Sequence, residues 1–402
     1  MMRRTLKACA ALAASFFAAS IFTVSILAGP AQAAPTAMAG TAVLDCPLRD
    51  APFSADSPLI DLLLSPEAKA IVSRDMGAAL DRAPPRFMGT QTPSFAAILT
   101  LRKAAGFFGM PADAVDRADG ELRKLAVTDA DRRARCARYD DDRLEIPAAR
   151  KSADGKSAEG KSAAGAPRLL IFEKINGFKD IPGVEAAHAL FVDLARENGW
   201  SVTSTEKGGA IRAETLRNFD AVIWNNVSGD VLTLTQRKAL QAYLENGGGF
   251  LAVHGSAGDP AYFWDWYADT LIGARFAGHP MSPQFQDAKV RLETPSSPLA
   301  KGLPAQWTMN DEWYSFTTNP RKAGVTVLAT LDESTYAPKG VGGQDLRMGD
   351  HPIAWSKCLG KGRMFYSAIG HRPETYSTPE YRTMVKNALA WVSQRKACVA
   401  GE

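Results

Sequence analysis

The sequence predicts an α/β fold with a doubly wound, mostly parallel sheet, and three observations carry that prediction. After residue 167, short apolar runs alternate with helix-length amphipathic stretches, the order of a parallel sheet with crossover helices. Near the end the alternation stops, and Ile353–Lys357 and Arg363–Ile369 flank Gly360 and Gly362, which predicts a C-terminal antiparallel hairpin. Before residue 148 only short helical stretches appear, so a small α-helical module precedes the sheet.

At the start, Arg3, Arg4 and Lys7 precede an uncharged run from Ala8 to Ala31, and Ala31-Gln-Ala33 has the form of a cleavage site. That order predicts a signal peptide over 1–33 and a periplasmic or secreted protein. An uncleaved anchor is the competing reading of so long an uncharged run. The paired arginines leave general secretory and twin-arginine export both open. With 47 Lys+Arg against 43 Asp+Glu, and three of the basic residues in the leader, the mature chain is close to neutral. No nucleic-acid partner is expected, and no membrane contact after cleavage.

Residues 41–147 form the helical module. Ser65-Pro66 reads as an N-cap with proline at N1, and Thr128 opens another helix. Residues 148–167 are a linker built on three tandem pentapeptides, Lys151-Ser-Ala-Asp-Gly, Lys156-Ser-Ala-Glu-Gly and Lys161-Ser-Ala-Ala-Gly165, too small and polar to bury a core. All eight Trp, all five His and eight of the nine Tyr follow the linker, which places the chemistry in residues 168–396.

In that domain, Arg168–Phe172, Ala221–Asn225 and Gly249–Val253 read as strands, with a weaker one near Trp200. A capping box of Thr233 and Gln236 opens the helix carrying Leu240, Tyr243 and Leu244, and Thr378-Pro379 opens the last helix. Ligands of open α/β sheets sit beyond the carboxyl ends of the strands. His254 follows one such strand and His371 another. Pairing across the hairpin sets position 351 opposite 369 or 370, which brings His351 to the same end. Asp350, Glu374 and Asp259 would add carboxylates. His279 and the segment Asp311-Glu312-Trp313-Tyr314 lie in loop-rich stretches that could fold over this edge.

Cleavage leaves Cys46, Cys136, Cys358 and Cys398, an even set in an exported chain. The turn holding Cys358 points away from the site, and the last helix runs back from the site end toward it. The topology therefore predicts Cys358–Cys398, leaving Cys46–Cys136 within the helical module.

Each feature also has a structural reading. A histidine at a strand end is often only a hydrogen-bonded anchor, and Tyr262–Tyr267 is either a sugar-stacking platform or core. Ser256 lacks the G-x-S-x-G elbow of a nucleophile. Gly247–Gly249 ends a helix rather than opening one, so it is no phosphate loop. A divalent metal at His254, His279, His351 and His371 fits the residue types, although no H-x-H or H-E-x-x-H spacing supports it.

Seven segments in order resemble the ThuA-like (trehalose-utilisation) family: Asn226-Val-Ser-Gly-Asp230, Gly247-Gly-Gly-Phe-Leu-Ala-Val-His254, Phe276-Ala-Gly-His279-Pro280, Asp311-Glu-Trp-Tyr314, Leu328-Ala-Thr-Leu-Asp-Glu-Ser-Thr-Tyr336, Asp350-His-Pro-Ile-Ala-Trp355 and Gly370-His371. The resemblance implies the class I glutamine amidotransferase-like, flavodoxin-like fold. It also implies that His254, His279, Glu312, His351 and His371 line the pocket.

Two departures matter. His254 stands where amidotransferases carry a nucleophilic cysteine, with His371 and Glu374 resembling their His-Pro-Glu segment with one residue inserted. Gly177-Phe-Lys-Asp180 replaces the Gly-Phe-Arg-His loop frequent in ThuA-like proteins.

The expectation is a protein acting on a sugar or keto-sugar by acid–base chemistry. His254, His371, His351 and Glu312 would be the catalytic residues. His279, Asp350, Trp313, Tyr314, Asn226, Asp230 and Asp259 would bind the carbohydrate. The alternatives are a non-catalytic carbohydrate- or partner-binding protein and a metal-assisted hydrolase.

Overall fold

A nine-stranded sheet with strand order β2-β1-β3-β4-β11-β10-β9-β6-β7 organises the chain. The computed structural model describes residues 42–80, 84, 87–146 and 165–399. The expected signal peptide and nearly all of the repeat linker lie outside these residues.

The five strands β1 (Arg168–Phe172), β2 (Ser201–Thr205), β3 (Ala221–Asn225), β4 (Gly249–Val253) and β11 (Gly362–Ser367) pair in parallel. β3 and β4 are buried along their whole length, because helices cover both faces. From β11 onward the pairing is antiparallel, through β10 (Pro352–Leu359), β9 (Thr326–Asp332), β6 (Phe285–Leu292) and β7 (Gln306–Glu312). Here exposed and buried positions alternate along β6 and β7, as in strands with one face toward solvent. A two-stranded ribbon of β5 (Phe276–Gly278) and β8 (Ser315–Phe316) stands apart from the large sheet.

The N-terminal segment contributes α1 (Leu59–Leu64), α2 (Pro66–Leu80), α3 (Leu101–Phe108), α4 (Ala112–Leu122) and α5 (Asp129–Cys136). They enclose a small core that includes Phe53, Leu59, Leu62, Leu101, Val115 and Leu122. Around the sheet lie α6 (Ile181–Asn198), α7 (Ala213–Leu216), α8 (Leu234–Glu245) and α9 (Pro379–Val392). The Thr233–Gln236 capping box opens α8 as expected, and Thr128 with Asp131 forms another at α5. Gly249 opens β4 where a Cβ would lie 2.2 Å from the carbonyl oxygen of Val392, so only glycine lets α9 approach so closely.

The helical segment packs directly on the sheet, and the described residues belong to one compact unit. Its contacts reach the carboxyl edge of the strands. Asp45 accepts from the amides of Leu234 and Thr235 at the start of α8. The Tyr139 hydroxyl donates to Asp230 (2.9 Å), and the Ser94 amide donates to the Asn176 carbonyl (2.9 Å). Disulfides join Cys46 to Cys136 and Cys358 to Cys398, the pairing expected from topology. Among the described residues no helix is long and apolar enough to cross a membrane.

Candidate active site

His254 follows β4 directly and takes a left-handed backbone conformation (φ 33°), a strained arrangement for a residue with a Cβ. Its surroundings hold it there. Nδ1 lies 2.7 Å from the Ala368 carbonyl, the Tyr366 hydroxyl donates to the His254 carbonyl (2.9 Å), and the ring stacks on Tyr314 at 4.1 Å. The neighbouring strand end is bent in the same sense. Asn226 has φ 53°, and its Oδ1 accepts from the Gly255 amide (3.0 Å).

His371 arrives on the loop after β11, and Asp311 fixes that loop. The buried Asp311 carboxylate accepts from the amides of Gly370 (2.9 Å), His371 (3.0 Å) and Arg372 (3.3 Å) and from the Thr375 hydroxyl (2.7 Å). Gly370 sits at φ 131°, and a Cβ there would lie 2.6 Å from the Tyr376 hydroxyl, so the bend requires glycine. Asp311 and Glu312 are consecutive in β7, so their side chains point to opposite faces. One clamps the loop while the other meets the imidazoles.

The result is a nearly equilateral triangle of ligand-type atoms. His254 Nε2 lies 3.2 Å from His371 Nδ1 and 3.3 Å from Glu312 Oε2, and His371 Nδ1 lies 3.2 Å from the same Oε2. His279 Nδ1 approaches the other oxygen, Oε1, at 3.2 Å, and Gln284 Nε2 donates to it at 2.5 Å. Burial alone would raise the Glu312 carboxyl. The contacts with His254 and His371, with the charge of His279, override it and hold the group well below the usual carboxylate range. For His371, burial acts downward, and the hydrogen bond and charge of Glu312 outweigh it, so its value is raised. Burial pushes the Asp311 carboxyl upward, against the charge of His254 and the Thr375 hydrogen bond.

Of the expected catalytic residues, His254, His371 and Glu312 converge, with His279 and Tyr314 beside them. His351 does not join the triangle. Its Nε2 is 2.8 Å from the Tyr314 carbonyl and its Nδ1 2.8 Å from Glu333, so both nitrogens are engaged one layer behind Tyr314. Asp350 lies toward the surface, in an ion pair with Arg321 (2.7 Å) and a hydrogen bond from Asn319. The buried Trp313 donates to the Gln286 carbonyl (2.9 Å) and is core. Asp230 is used by Arg237 and Tyr139, and Asp259 accepts from the Ser228 hydroxyl (2.5 Å) and the Gly229 amide (2.7 Å). Glu374 forms an ion pair with Arg372 (3.3 Å). Ser256 donates to the Trp224 carbonyl, a structural role. In the aromatic stretch, Tyr267 is buried and Trp264 and Trp266 pack on the main core.

Sequence reasoning missed Gln284 and Glu333, for which spacing gives no signal, and the clamping role of Asp311. It also missed Phe178 and Phe285, half-exposed rings that flank His371 at 6.2 Å and 5.2 Å. Phe178 in turn packs on Phe95 of the helical segment at 5.1 Å. The resemblance singled out the Gly177–Asp180 loop, and Phe178 is where that loop meets the site.

No functionally curated protein matches the chain. Among solved structures, a ThuA-like protein of Bacteroides uniformis is similar over 58% of this chain and 95% of its own, with 27% identity and a TM-score of 0.50. A ThuA-like protein of Parabacteroides merdae is similar over 58% and 92%, with 16% identity and a TM-score of 0.42. The sequence profile described as trehalose utilisation (ThuA) matches residues 168–392, more than half of the chain and the whole stretch that builds the triangle. The chain belongs to the ThuA family.

Proposed function

We propose that this protein is an exported enzyme of sugar utilisation that acts on a sugar or keto-sugar by proton transfer next to a carbonyl. The convergence of His254, Glu312 and His371 at the carboxyl edge of the sheet carries this reading. Imidazole changes charge near neutral pH, which suits it to taking and returning a proton. A buried carboxylate touching both rings stabilises whichever one is protonated. The family description, trehalose utilisation, supports a carbohydrate substrate.

The amidotransferase-like fold that the sequence resemblance implies would not bring its thioester chemistry with it. His254 occupies the elbow after β4, and the four cysteines after the leader are all in disulfides. No thiol remains to attack glutamine. The same two disulfides, with the charged, apolar and small-residue order of residues 1–33, support export.

A panel of disaccharides and their keto derivatives tests the reading. His254→Ala and His371→Ala should each lower turnover by about 10²–10⁴-fold, the usual contribution of a positioned acid or base. Calorimetry should show sugar affinity changed far less. If the wild type turns over no member of the panel yet binds sugars, the site is a recognition site and the enzymatic reading falls.

A further inference from the structure

We infer that the His254–Glu312–His371 triangle is a binding site for one divalent first-row transition ion, with zinc the ion its dimensions suit first. The edges of the triangle are 3.2, 3.3 and 3.2 Å. An ion bound tetrahedrally with bonds of about 2.0–2.1 Å sets its ligand atoms about 3.3 Å apart. Three side chains drawn from the ends of β4, β7 and the loop after β11 thus already stand at the separations such an ion imposes.

Proton bookkeeping supports a cation at the centre. The Ala368 carbonyl faces His254 Nδ1, so that nitrogen carries the hydrogen and Nε2 of the neutral ring presents a lone pair. That lone pair faces an oxygen of the Glu312 carboxylate. A single hydrogen on His371 Nδ1, shared between the two, still leaves the Nε2 lone pair and the carboxylate oxygen facing each other at 3.3 Å. Two acceptors and a third nitrogen at these distances attract a positive charge between them.

The surroundings match what orients metal ligands elsewhere. The Ala368 carbonyl fixes the His254 tautomer. Gln284 and His279 occupy Glu312 Oε1, leaving Oε2 directed at the two imidazoles. Two histidines and one glutamate with a further position open is the ligand set of catalytic rather than structural zinc. The least buried of the three is His371, between the half-exposed rings of Phe178 and Phe285, so a substrate would approach a bound ion from that side. The inference deepens the reading of this triangle as a reaction centre and rests on it only for what the ion would do, not for its binding.

The test is direct. The full chain, without an affinity tag and stripped with chelator, is titrated with zinc and with cobalt by calorimetry, and metal content is measured after dialysis. One ion per chain is expected, with the intense visible absorption of tetrahedral cobalt that zinc abolishes. Glu312→Gln or His371→Ala should weaken zinc binding by about 100-fold or more, and Gln284→Ala by about 10-fold through loss of ligand orientation. His188→Ala, whose ring pairs with Glu173 at 2.9 Å outside the triangle, should change nothing. Circular dichroism checks that each variant folds. If one does not, the cobalt spectrum of the wild type decides. A wild-type Kd above about 1 mM for every ion tried, or zinc affinity untouched by Glu312→Gln, overturns the site. Zinc binding without turnover of any sugar would leave the site standing and remove the sugar reading. Turnover by metal-free protein that binds no zinc would do the reverse.

Discussion

Asp259 shows how much one buried carboxyl can shape the response of the fold to pH. Burial pushes its value up to about 7, although the Ser228 hydroxyl and the Gly229 amide donate to it and pull the other way. A raised folded-state value means that the protonated form is the one the fold prefers. Its contribution to stability is therefore complete below about pH 4, where the unfolded chain is also protonated, and is lost as pH rises to about 7. Asp259→Asn should remove this dependence. Urea denaturation at a series of pH values should show the wild type losing on the order of 3 kcal/mol between pH 4 and 7 that the variant keeps.

The same scale separates what was legible in the sequence from what was not. His254 and His371 could be placed because each follows a recognisable strand, and strand ends face ligands in this fold class. His351 was placed at the right end of the sheet, but its partner is not predictable from position. Glu333 captures it from the end of a different strand. Gln284 is a neutral side chain in a loop, and only the folded backbone brings it to Glu312.

Among the elements, β7 carries the most consequence per residue. Its last two side chains diverge, Asp311 toward the loop after β11 and Glu312 toward the imidazoles. Asp311→Asn keeps the shape but turns one acceptor into a donor that faces backbone amides. It should cost on the order of 2–4 kcal/mol in urea denaturation, because several buried donors lose their partner. It should also lower turnover by displacing His371. Strands and helices with strong local signals, such as the capping box of α8, were visible in advance. The antiparallel strands β6, β7 and β9 were not, since their half-exposed patterns resemble loops in a single sequence.

On the scale of the whole molecule, the Cys46–Cys136 bridge spans 90 residues and encloses the helical segment that packs on the site edge. Chain entropy assigns a loop of that length about 4–5 kcal/mol, of which 2–5 kcal/mol is the usual measured return. Replacing both cysteines with alanine should lower stability to denaturant by that amount.

In a flat sheet, the four strand spacings from β11 to β7 would separate Glu312 from the β11 edge by about 19 Å. Contact at 3.2 Å means that the antiparallel half curls back on the parallel half. Among the described residues β7 is the last strand of the sheet, with no strand paired on its outer side, the kind of border at which sheets fray and recruit other chains. Its free end is held by the triangle of His254, Glu312 and His371. By linkage, whatever occupies the triangle must also hold this border in place, and an unfastened β7 must weaken occupancy to the same degree. Protection of the β7 amides against hydrogen exchange thus becomes a measure of ligation.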